Sequence, residues 1–270
     1  MPELPEVETI RNGLKDICLN TTITNSRLHT YKLRYSILPN LSDIIAQSTI
    51  IAVERRAKYL IFKLDIGYLL FHLGMAGRIY ATQQYQKNSH EHMTLYLDNK
   101  FVISFCDHRK FGAIIWVDTP LEEHPLIKNL GIEPFAKTFQ AMYLYKKCLS
   151  RKISIKQLLM EGKAVAGIGN IYASEILFCS NIRPHRLSNT ISLKECKKIC
   201  KCTTSILTRA IEAGGTSIKD FRNTKSGLGY FTQQLLVYGR AGKNCLECHQ
   251  VILRIIQNNR SSYYCTQCQG

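Results

Sequence analysis

The length, composition and charge of the chain set the first limits on its structure and its partners. It has 270 residues, a mass of 30.9 kDa and 45% hydrophobic residues, which suits one large or two ordinary packed domains and excludes wholesale disorder. The 36 Lys and Arg against 20 Asp and Glu give a formal net charge of +16. This excess favours a polyanionic partner, such as nucleic acid or an anionic membrane surface, over an ordinary small metabolite.

Two further features predict a cytoplasmic protein with no membrane segment. No apolar run approaches the roughly 18 residues that are needed to span a bilayer. The start of the chain, residues 1–6, is acidic and contains two prolines, and it lacks the basic and apolar regions of a secretion signal.

The first 130 residues predict one helix followed by a series of strands. Apolar residues recur at helical spacing from Val7 to Ile17, and Pro5 suits a first turn, so we expect a helix over residues 5–19. Short β-branched or aromatic segments, separated by turn residues, then predict strands at 50–53, 59–64, 69–73, 93–97, 101–105 and 113–117. This pattern is typical of a β-sandwich or a barrel-like domain over residues 1–130.

The pattern becomes helical between residues 139 and 212. Gly131 and Pro134 mark a linker at 131–138, and the glycine-rich, polar segment 219–231 indicates a loop. We therefore predict a helical domain at 139–230 and a separate C-terminal module at 236–270. The expected fold class is α+β and multidomain.

Four of the eleven cysteines form two Cys-x2-Cys pairs near the C-terminus, Cys245 with Cys248 and Cys265 with Cys268. Each pair can direct two thiolates at one ion, and the 16 residues between the pairs suit a hairpin. The pattern predicts one structural zinc ion per chain, since four sulfur ligands leave no open position for a catalytic water. The other seven cysteines show no comparable pairing, and we interpret them as small buried or incidental residues in a reducing compartment. They are residues 18, 106, 148, 179, 196, 200 and 202.

The N-terminus offers a possible nucleophile. Loss of Met1, which is expected before a residue as small as proline, exposes the secondary amine of Pro2. An α-amino group titrates well below a lysine, so more of it is neutral at pH 7. Such an amine can attack C1′ of a sugar and form an iminium ion, while Glu3 moves protons. On composition alone a second interpretation also fits, in which Pro2 only starts the chain and Glu3 and Glu6 cap a helix.

Five motifs occur in a specific order: MPELPEVET at 1–9, RRAKYL at 55–60, HLGM at 72–75, GIGNIYASE at 167–175 and VYGR at 237–240. Together with the cysteine pairs they closely resemble the formamidopyrimidine-DNA glycosylase family, over residues 1–268. The resemblance implies a bifunctional base-excision repair enzyme that removes oxidised purines, such as 8-oxoguanine and formamidopyrimidines, and then cleaves the abasic strand by β,δ-elimination. It implies an N-terminal β-sandwich flanked by helices, a helix-two-turn-helix domain and a C-terminal β-hairpin zinc finger.

The resemblance also implies roles for individual residues. Pro2 matches the nucleophile and Glu3 the acid/base carboxylate, and we group Lys58 and Arg260 with them as cations that contact phosphate. Taken alone, Lys58 reads as a solvated lysine and Arg260 as a charged hairpin tip. The implied partner is double-stranded DNA that contains oxidised purines or abasic sites, bound by a monomer.

Seven further positions match DNA contacts of the family: His90, Arg109, Asn170, Arg151, Tyr238, Met75 and Phe111. Of these, Met75, Arg109 and Phe111 match the three residues that fill the hole left by a flipped nucleotide. The loop at 107–112 reads DHRKFG where the family usually has DPRRFG, so loss of the proline is expected to loosen it. The segment 216–230 resembles the family's lesion-capping loop.

Two other functions stay open on the sequence. An endonuclease VIII-like enzyme for oxidised pyrimidines usually starts Met-Pro-Glu-Gly-Pro-Glu, whereas Leu4 and the loop that carries Arg109 and Phe111 favour the purine branch. A non-enzymatic, zinc-dependent DNA-binding protein would have no need of a free Pro2 amine.

Overall fold

The computed structural model describes residues 2–215 and 231–270, which belong to two units. The first unit contains the chain up to Lys128 and resumes at Gly214. The second contains Asn129–Ala213 and the segment that ends at Gly270. The segment 216–230, for which a lesion-capping loop is expected, lies outside the described residues.

The first unit contains α1 at Leu4–Cys18, then β1 at Thr21–Leu28 and α2 at Leu41–Ile45. Seven more strands and one helix follow: β2 Thr49–Arg56, β3 Tyr59–Leu64, β4 Gly67–His72, β5 Arg78–Thr82, β6 Glu91–Leu97, β7 Val102–Cys106, β8 Ala113–Val117 and α3 Pro125–Lys128. α1 buries the apolar side that its spacing predicts, including Val7, Ile10 and Leu14. The prediction of an N-terminal helix is confirmed.

The eight strands form one antiparallel sheet with the order β5-β7-β6-β1-β2-β3-β4-β8. β1 joins its two halves, because Thr21 and Thr22 pair with β2 whereas Ile23–Leu28 pair with β6. The halves share one hydrophobic core, in which the rings of Phe71 on β4 and Phe105 on β7 lie 5.6 Å apart. The predicted β-sandwich with flanking helices is confirmed.

The sequence predicts six of these eight strands and misses β1 and β5. β1 reads TTITNSRL, and its polar residues obscure the alternation that marks a half-buried strand. It is nevertheless central, because backbone hydrogen bonds pair it on both sides. β5 is an edge strand of only five residues, which is too short to show a clear alternation of apolar and polar residues.

The second unit contains four α-helices and a β-hairpin in its described residues. These are α4 Ala141–Leu149, α5 Ile155–Met160, α6 Asn170–Cys179, α7 Leu193–Glu212, β9 Ile252–Gln257 and β10 Arg260–Cys265. In α6 all residues from Tyr172 to Phe178 are buried, so this helix packs on every side. The predicted helical domain and C-terminal hairpin are confirmed.

The segment predicted as a linker begins within the hydrogen-bond network of the second unit. The N–H of Gly131 donates to the carbonyl of Gly162 at 2.7 Å. The N–H of Ala166 donates to the carbonyl of Ile132 at 2.9 Å. Residues 131 and 132 are therefore tied to the segment that follows α5.

The interpretation of the seven other cysteines was wrong for two of them. Cys179, the last residue of α6, and Cys202, in the middle of α7, are joined by a disulfide with a Cα–Cα distance of 5.9 Å. The two residues are 23 positions apart and belong to no local motif, so only the packing of the two helices brings them together. The interpretation as small buried residues holds for Cys18, Cys148 and Cys196.

Among the described residues, no helix combines the length and the apolar character that a membrane crossing requires.

Candidate DNA-binding and catalytic site

On the first unit, the start of α1 fixes the backbone beside Pro2. Glu3 is the N-cap residue, and its N–H donates to the Glu6 carboxylate at 2.8 Å, while the Glu3 side chain accepts from the N–H of Glu6. This reciprocal capping box satisfies two backbone donors of the helix end. Both carboxylates are buried, whereas Pro2 is half-buried. Glu3 therefore caps the helix, as one of the two interpretations expects, and its catalytic role beside Pro2 stays a prediction.

Lys58 lies in the turn between β2 and β3, where Ala57 has a φ of 54°. Arg55 ties this turn to α1, because its guanidinium donates to Glu8 at 2.7 Å and to the carbonyl of Ala57 at 3.0 Å. Burial opposes ionisation of Glu8, but hydrogen bonds from two arginines hold the pKa of this carboxyl below its ordinary value. The resulting ion pair fixes the Lys58 turn against the first helix.

His72, the last residue of β4, shapes the loop that carries Met75. Its Nδ1 accepts a hydrogen bond from the N–H of Gly74 at 3.0 Å, so the ring proton resides on Nε2. Burial, together with the positive charges of Arg34 and Lys58, lowers the pKa of His72 to about 4. The imidazole is therefore neutral at pH 7 and keeps its hydrogen bond to the loop.

The structure brings together the loops that carry Met75, Arg109 and Phe111. Gly74 has a φ of 59°, and a Cβ at this position would lie 2.5 Å from the carbonyl carbon of Phe111. The two loops therefore touch backbone to backbone, which only a glycine allows. Met75 and Phe111 are 43% and 47% exposed, and the Arg109 guanidinium lies 4.8 Å from the centroid of the Phe111 ring. They form an exposed apolar and cationic cluster.

Asp107 holds the second of these loops although the family's proline is absent. Its carboxylate accepts the N–H of Arg109 at 3.1 Å and the N–H of Gly112 at 2.7 Å. The N–H of Asp107 in turn donates to the carbonyl of His90 at 3.0 Å, and the rings of His90 and His108 lie 6.2 Å apart. His90, for which the sequence predicts a DNA contact, thus lies beside this loop.

On the second unit, Asn170 is the first residue of α6 and follows the N-cap residue Gly169. Its Oδ1 is buried and has no hydrogen-bond partner among the described residues. Gly167 has a φ of 85°, a conformation that favours glycine, so the turn before the helix depends on it. A helix N-terminus presents unpaired N–H groups and a partial positive charge, which suits a phosphate.

Glu175 on α6 holds the segment that contains Tyr238. Its carboxylate accepts three successive backbone N–H groups, from Leu236 at 2.9 Å, Val237 at 3.0 Å and Tyr238 at 2.8 Å. Burial raises the pKa of Glu175, while these three donors act in the opposite direction. The Tyr238 ring packs edge-on against Tyr263 of β10, with the ring centroids 5.0 Å apart. One buried carboxylate thus links α6 to the start of the C-terminal module.

Arg151 forms an ion pair within the second unit. Its guanidinium donates to Glu161 at 2.6 Å, and its carbonyl accepts from the hydroxyl of Ser188 at 2.7 Å. The arginine side chain is 40% exposed. The structure therefore gives Arg151 a local partner, and its contact with DNA stays a prediction.

The four cysteines of the C-terminal pairs converge on one point. All four sulfur atoms lie within 4.8 Å of one another, with 3.9 Å between Cys245 and Cys268 and 3.4 Å between Cys248 and Cys265. A tetrahedral zinc ion with Zn–S bonds of about 2.3 Å would place its sulfurs about 3.8 Å apart. The residues therefore fit a tetrahedral metal site.

Arg260 begins β10 directly after the hairpin turn. Asn258 and Asn259 form this turn with φ values of 48° and 59°, as a tight two-residue hairpin requires. The Arg260 side chain is exposed. The turn thus presents a cation at the tip of the hairpin.

Two models of known families match the chain. The formamidopyrimidine-DNA glycosylase N-terminal domain matches residues 1–114, and the H2TH domain of the same enzymes matches residues 130–222. Curated formamidopyrimidine-DNA glycosylases from Hydrogenovibrio crunogenus and Rickettsia africae are 40% and 43% identical to the chain. Their matches cover all of this chain and 96% and 99% of the relatives.

Solved structures give the same result. The crystal structure of MutM (Fpg) from Thermus thermophilus has a TM-score of 0.88 at 31% identity and covers 100% of this chain and 99% of its own. A Lactococcus lactis Fpg variant in complex with DNA that contains Fapy-dG has a TM-score of 0.89 at 30% identity, with 99% of each chain covered.

The matched domains and the fold are those of a DNA glycosylase that acts in DNA repair. More particularly, the chain belongs to the formamidopyrimidine-DNA glycosylase family, also called Fpg or MutM.

Sequence reasoning named the residues expected to touch DNA and missed several that hold them in place. Arg55, His72 and Glu175 all lie within the quoted motifs, so their positions were available as a signal. Their partners are Glu8, the N–H of Gly74 and the 236–238 backbone. Glu8 and the 236–238 backbone lie far along the chain from the residues they bind, and the bond to Gly74 depends on the conformation of the loop. The spacing of residues in the sequence therefore reveals none of these partners.

We predict that Gly74→Ala destabilises the protein more than Gly162→Ala does. Both glycines have positive φ values, 59° and 75°, and alanine in this conformation costs about 1–2 kcal/mol. Only at Gly74 would the added Cβ meet backbone atoms, whereas at Gly162 it meets nothing within 4 Å. Denaturant unfolding of both variants, with single-turnover excision as a second readout, measures the difference. Equal destabilisation would contradict the close contact of the two loops.

We predict that Glu175→Gln destabilises the second unit by about 2–3 kcal/mol, because the amide NH2 would face a backbone donor and the charge is lost. Amide exchange at Leu236, Val237 and Tyr238 should become faster. Glu212→Gln, at an exposed position on α7, is the matched control. Unchanged exchange at the three amides would contradict the role of Glu175.

Proposed function

We propose that this glycosylase removes oxidised purines, including 8-oxoguanine and formamidopyrimidines, from double-stranded DNA and then cleaves the abasic strand. The observation that carries the proposal is the capping box, which ties the backbone of Glu3 to the start of α1 directly beside Pro2. The similar Lactococcus lactis structures contain DNA with Fapy-dG or an abasic site, which supports the same substrates here.

The proposed chemistry begins at the amine of Pro2 after Met1 has been removed. Its lone pair forms a bond to C1′ of the damaged nucleotide, and the bond from C1′ to the base nitrogen breaks. The proton that the Pro2 nitrogen loses goes to the departing base. Opening of the sugar then gives an iminium ion between Pro2 and C1′, with the ring oxygen protonated by Glu3. Loss of a C2′ proton allows β-elimination of the 3′ phosphate, and loss of a C4′ proton then allows δ-elimination of the 5′ phosphate. Water hydrolyses the remaining Schiff base and frees the Pro2 amine.

The proposed DNA contacts are of three kinds: cations, the N-terminus of a helix, and side chains inserted between the bases. The cations Lys58 and Arg260 would bind phosphates. Asn170, at the start of α6, and Tyr238 would bind phosphates as well. Two further predicted DNA contacts are His90 and Arg151. The exposed cluster of Met75, Arg109 and Phe111 would fill the space left by the flipped nucleotide. Arg109 would donate to cytosine opposite the lesion, which favours excision of 8-oxoguanine paired with cytosine over the same lesion paired with adenine.

The proposed metal is one structural zinc ion per chain at Cys245, Cys248, Cys265 and Cys268. When bound, it supplies no chemistry to the reaction and fixes the base of the hairpin. Cys245 and Cys248 precede β9, Cys265 ends β10 and Cys268 follows it, so their convergence closes the base of the hairpin whose tip carries Arg260.

An alternative substrate class is the oxidised pyrimidines of endonuclease VIII-like enzymes. Leu4 and the Arg109 loop favour purines, and the match to the formamidopyrimidine-DNA glycosylase N-terminal domain supports the same choice.

We also propose that the protein acts as a monomer. We propose the cytoplasm as its location, because the bacteria that carry the relatives keep their DNA there.

We predict that borohydride traps the protein on an 8-oxoguanine duplex and that Pro2→Gly, which keeps only a primary amine, loses much of the lyase activity. Glu3→Gln should slow base excision itself, since a proton-transfer group is lost. Glu54→Gln, at an exposed position of β2, is the control for removing a carboxylate. Full trapping and excision by both Pro2→Gly and Glu3→Gln would show that another residue performs the reaction.

We also predict that elemental analysis finds one zinc per chain and that Cys248→Ser or chelation abolishes DNA binding. A structural zinc ion contributes directly to folding, and without it the hairpin that carries Arg260 is released. Cys106→Ser, a half-buried cysteine of β7, is the control. Undiminished binding by protein that contains no metal would contradict this prediction.

A further inference from the structure

Lys156, in the first turn of α5, is a buried cation that none of the predicted roles uses. The residue is only 2% exposed. Its Nζ donates to the carbonyl of Ser261 at 2.8 Å and to the hydroxyl of Ser262 at 2.7 Å. A buried ammonium is unfavourable unless hydrogen bonds replace its hydration, and bonds from a charged donor are stronger than neutral ones. Both acceptors lie on β10, so the charge of Lys156 is bound to the hairpin.

A second contact holds the hairpin on the other side of Arg260. The side-chain amide of Asn258, in the turn, donates to Gln157 at 2.6 Å. Gln157 directly follows Lys156 on α5. Arg260 thus lies between an anchored Asn258 and an anchored Ser261, while its own side chain is exposed.

The first turn of α5 is itself held in place. The N–H of Ile155 donates to the carbonyl of Arg186 at 2.8 Å, and the hydroxyl of Ser154 caps the helix by accepting from Gln157. Because these other bonds fix the start of α5, we expect a substitution of Lys156 to displace the hairpin tip and not the helix.

The metal site alone does not hold the tip. Cys265 lies five residues from Arg260 along β10, which is roughly 16 Å of extended chain. An isolated two-stranded ribbon is marginally stable in water. The base of the hairpin and its tip therefore need separate anchors.

We propose that Lys156 is a positioning residue that places the Arg260 guanidinium on its phosphate without touching DNA itself. The proposal rests on the proposed phosphate contact of Arg260. In it, the four cysteines fix the base of the hairpin, and the ammonium of Lys156 fixes the tip against α5.

A double-mutant cycle tests this role. The affinity for a duplex that contains a tetrahydrofuran abasic-site analogue is measured over a series of salt concentrations for the wild type, Lys156→Met, Arg260→Ala and the double variant. We expect Lys156→Met and Arg260→Ala each to weaken binding about tenfold and to reduce the salt slope by about one. The double variant should bind no more weakly than Arg260→Ala, because Lys156 acts only through Arg260.

Lys198→Met removes the same charge from an exposed position on α7 and is the matched control for general electrostatic attraction. Zinc content, measured for every variant, shows that the hairpin base is intact. If Lys156→Met loses its zinc, Ser262→Ala takes its place in the cycle, because it removes one acceptor of Lys156 and leaves the charge. A several-fold loss of affinity that disappears in the Arg260→Ala background is then expected.

Two results would overturn the proposal in distinguishable ways. If the effects of Lys156→Met, or of Ser262→Ala in its place, and Arg260→Ala multiply in the double variant, Lys156 does not act through Arg260, and the phosphate contact of Arg260 still stands. If Arg260→Ala itself leaves both affinity and salt slope unchanged, the phosphate contact in the proposed function fails, and with it the role of Lys156.

Discussion

The geometry of the N-terminus depends on one reciprocal pair of hydrogen bonds, the capping box between Glu3 and Glu6. Two buried carboxylates at one helix end are tolerated because the N–H groups and the positive end of the helix dipole stabilise them. The backbone of Glu3 is thereby fixed one peptide bond from Pro2, in a region where chain ends ordinarily fray. The same helix is bound through Glu8 and Arg55 to the turn that carries Lys58. Hydrogen bonds thus fix a chain end that would ordinarily fray, as the proposed role of Pro2 as a nucleophile requires.

Buried charges perform a similar task in the second unit. Glu175 gathers three N–H groups from the segment that contains Tyr238, and Lys156 binds two acceptors beside Arg260. In each case a charge that is expensive to bury is satisfied by polar groups of another segment, and these bonds hold that segment in place. In the proposed function, the exposed Arg260 and the half-buried Tyr238 would then meet a phosphate with little loss of conformational freedom.

Local patterns predicted much of this molecule. The period of α1, the six apolar strands and the spacing of the four cysteines each reside in a short stretch of sequence. The ordered motifs identified the family and predicted the candidate site residues. β1 escaped because its place in the sheet comes from pairing on both sides. The Cys179–Cys202 disulfide and the partners of Lys156 lie 23 or more positions apart, and only tertiary packing brings them together. Positioning residues are therefore harder to predict than the residues they position.

The most direct test of this account is a crystal structure of the protein after borohydride reduction on a duplex with an abasic site. We predict continuous electron density between the nitrogen of Pro2 and C1′ of the sugar, with the Glu3 carboxylate beside the opened ring and the Glu3–Glu6 hydrogen bonds intact. Density that joins C1′ to Lys58 or to any other lysine, with Pro2 unmodified, would contradict the central claim.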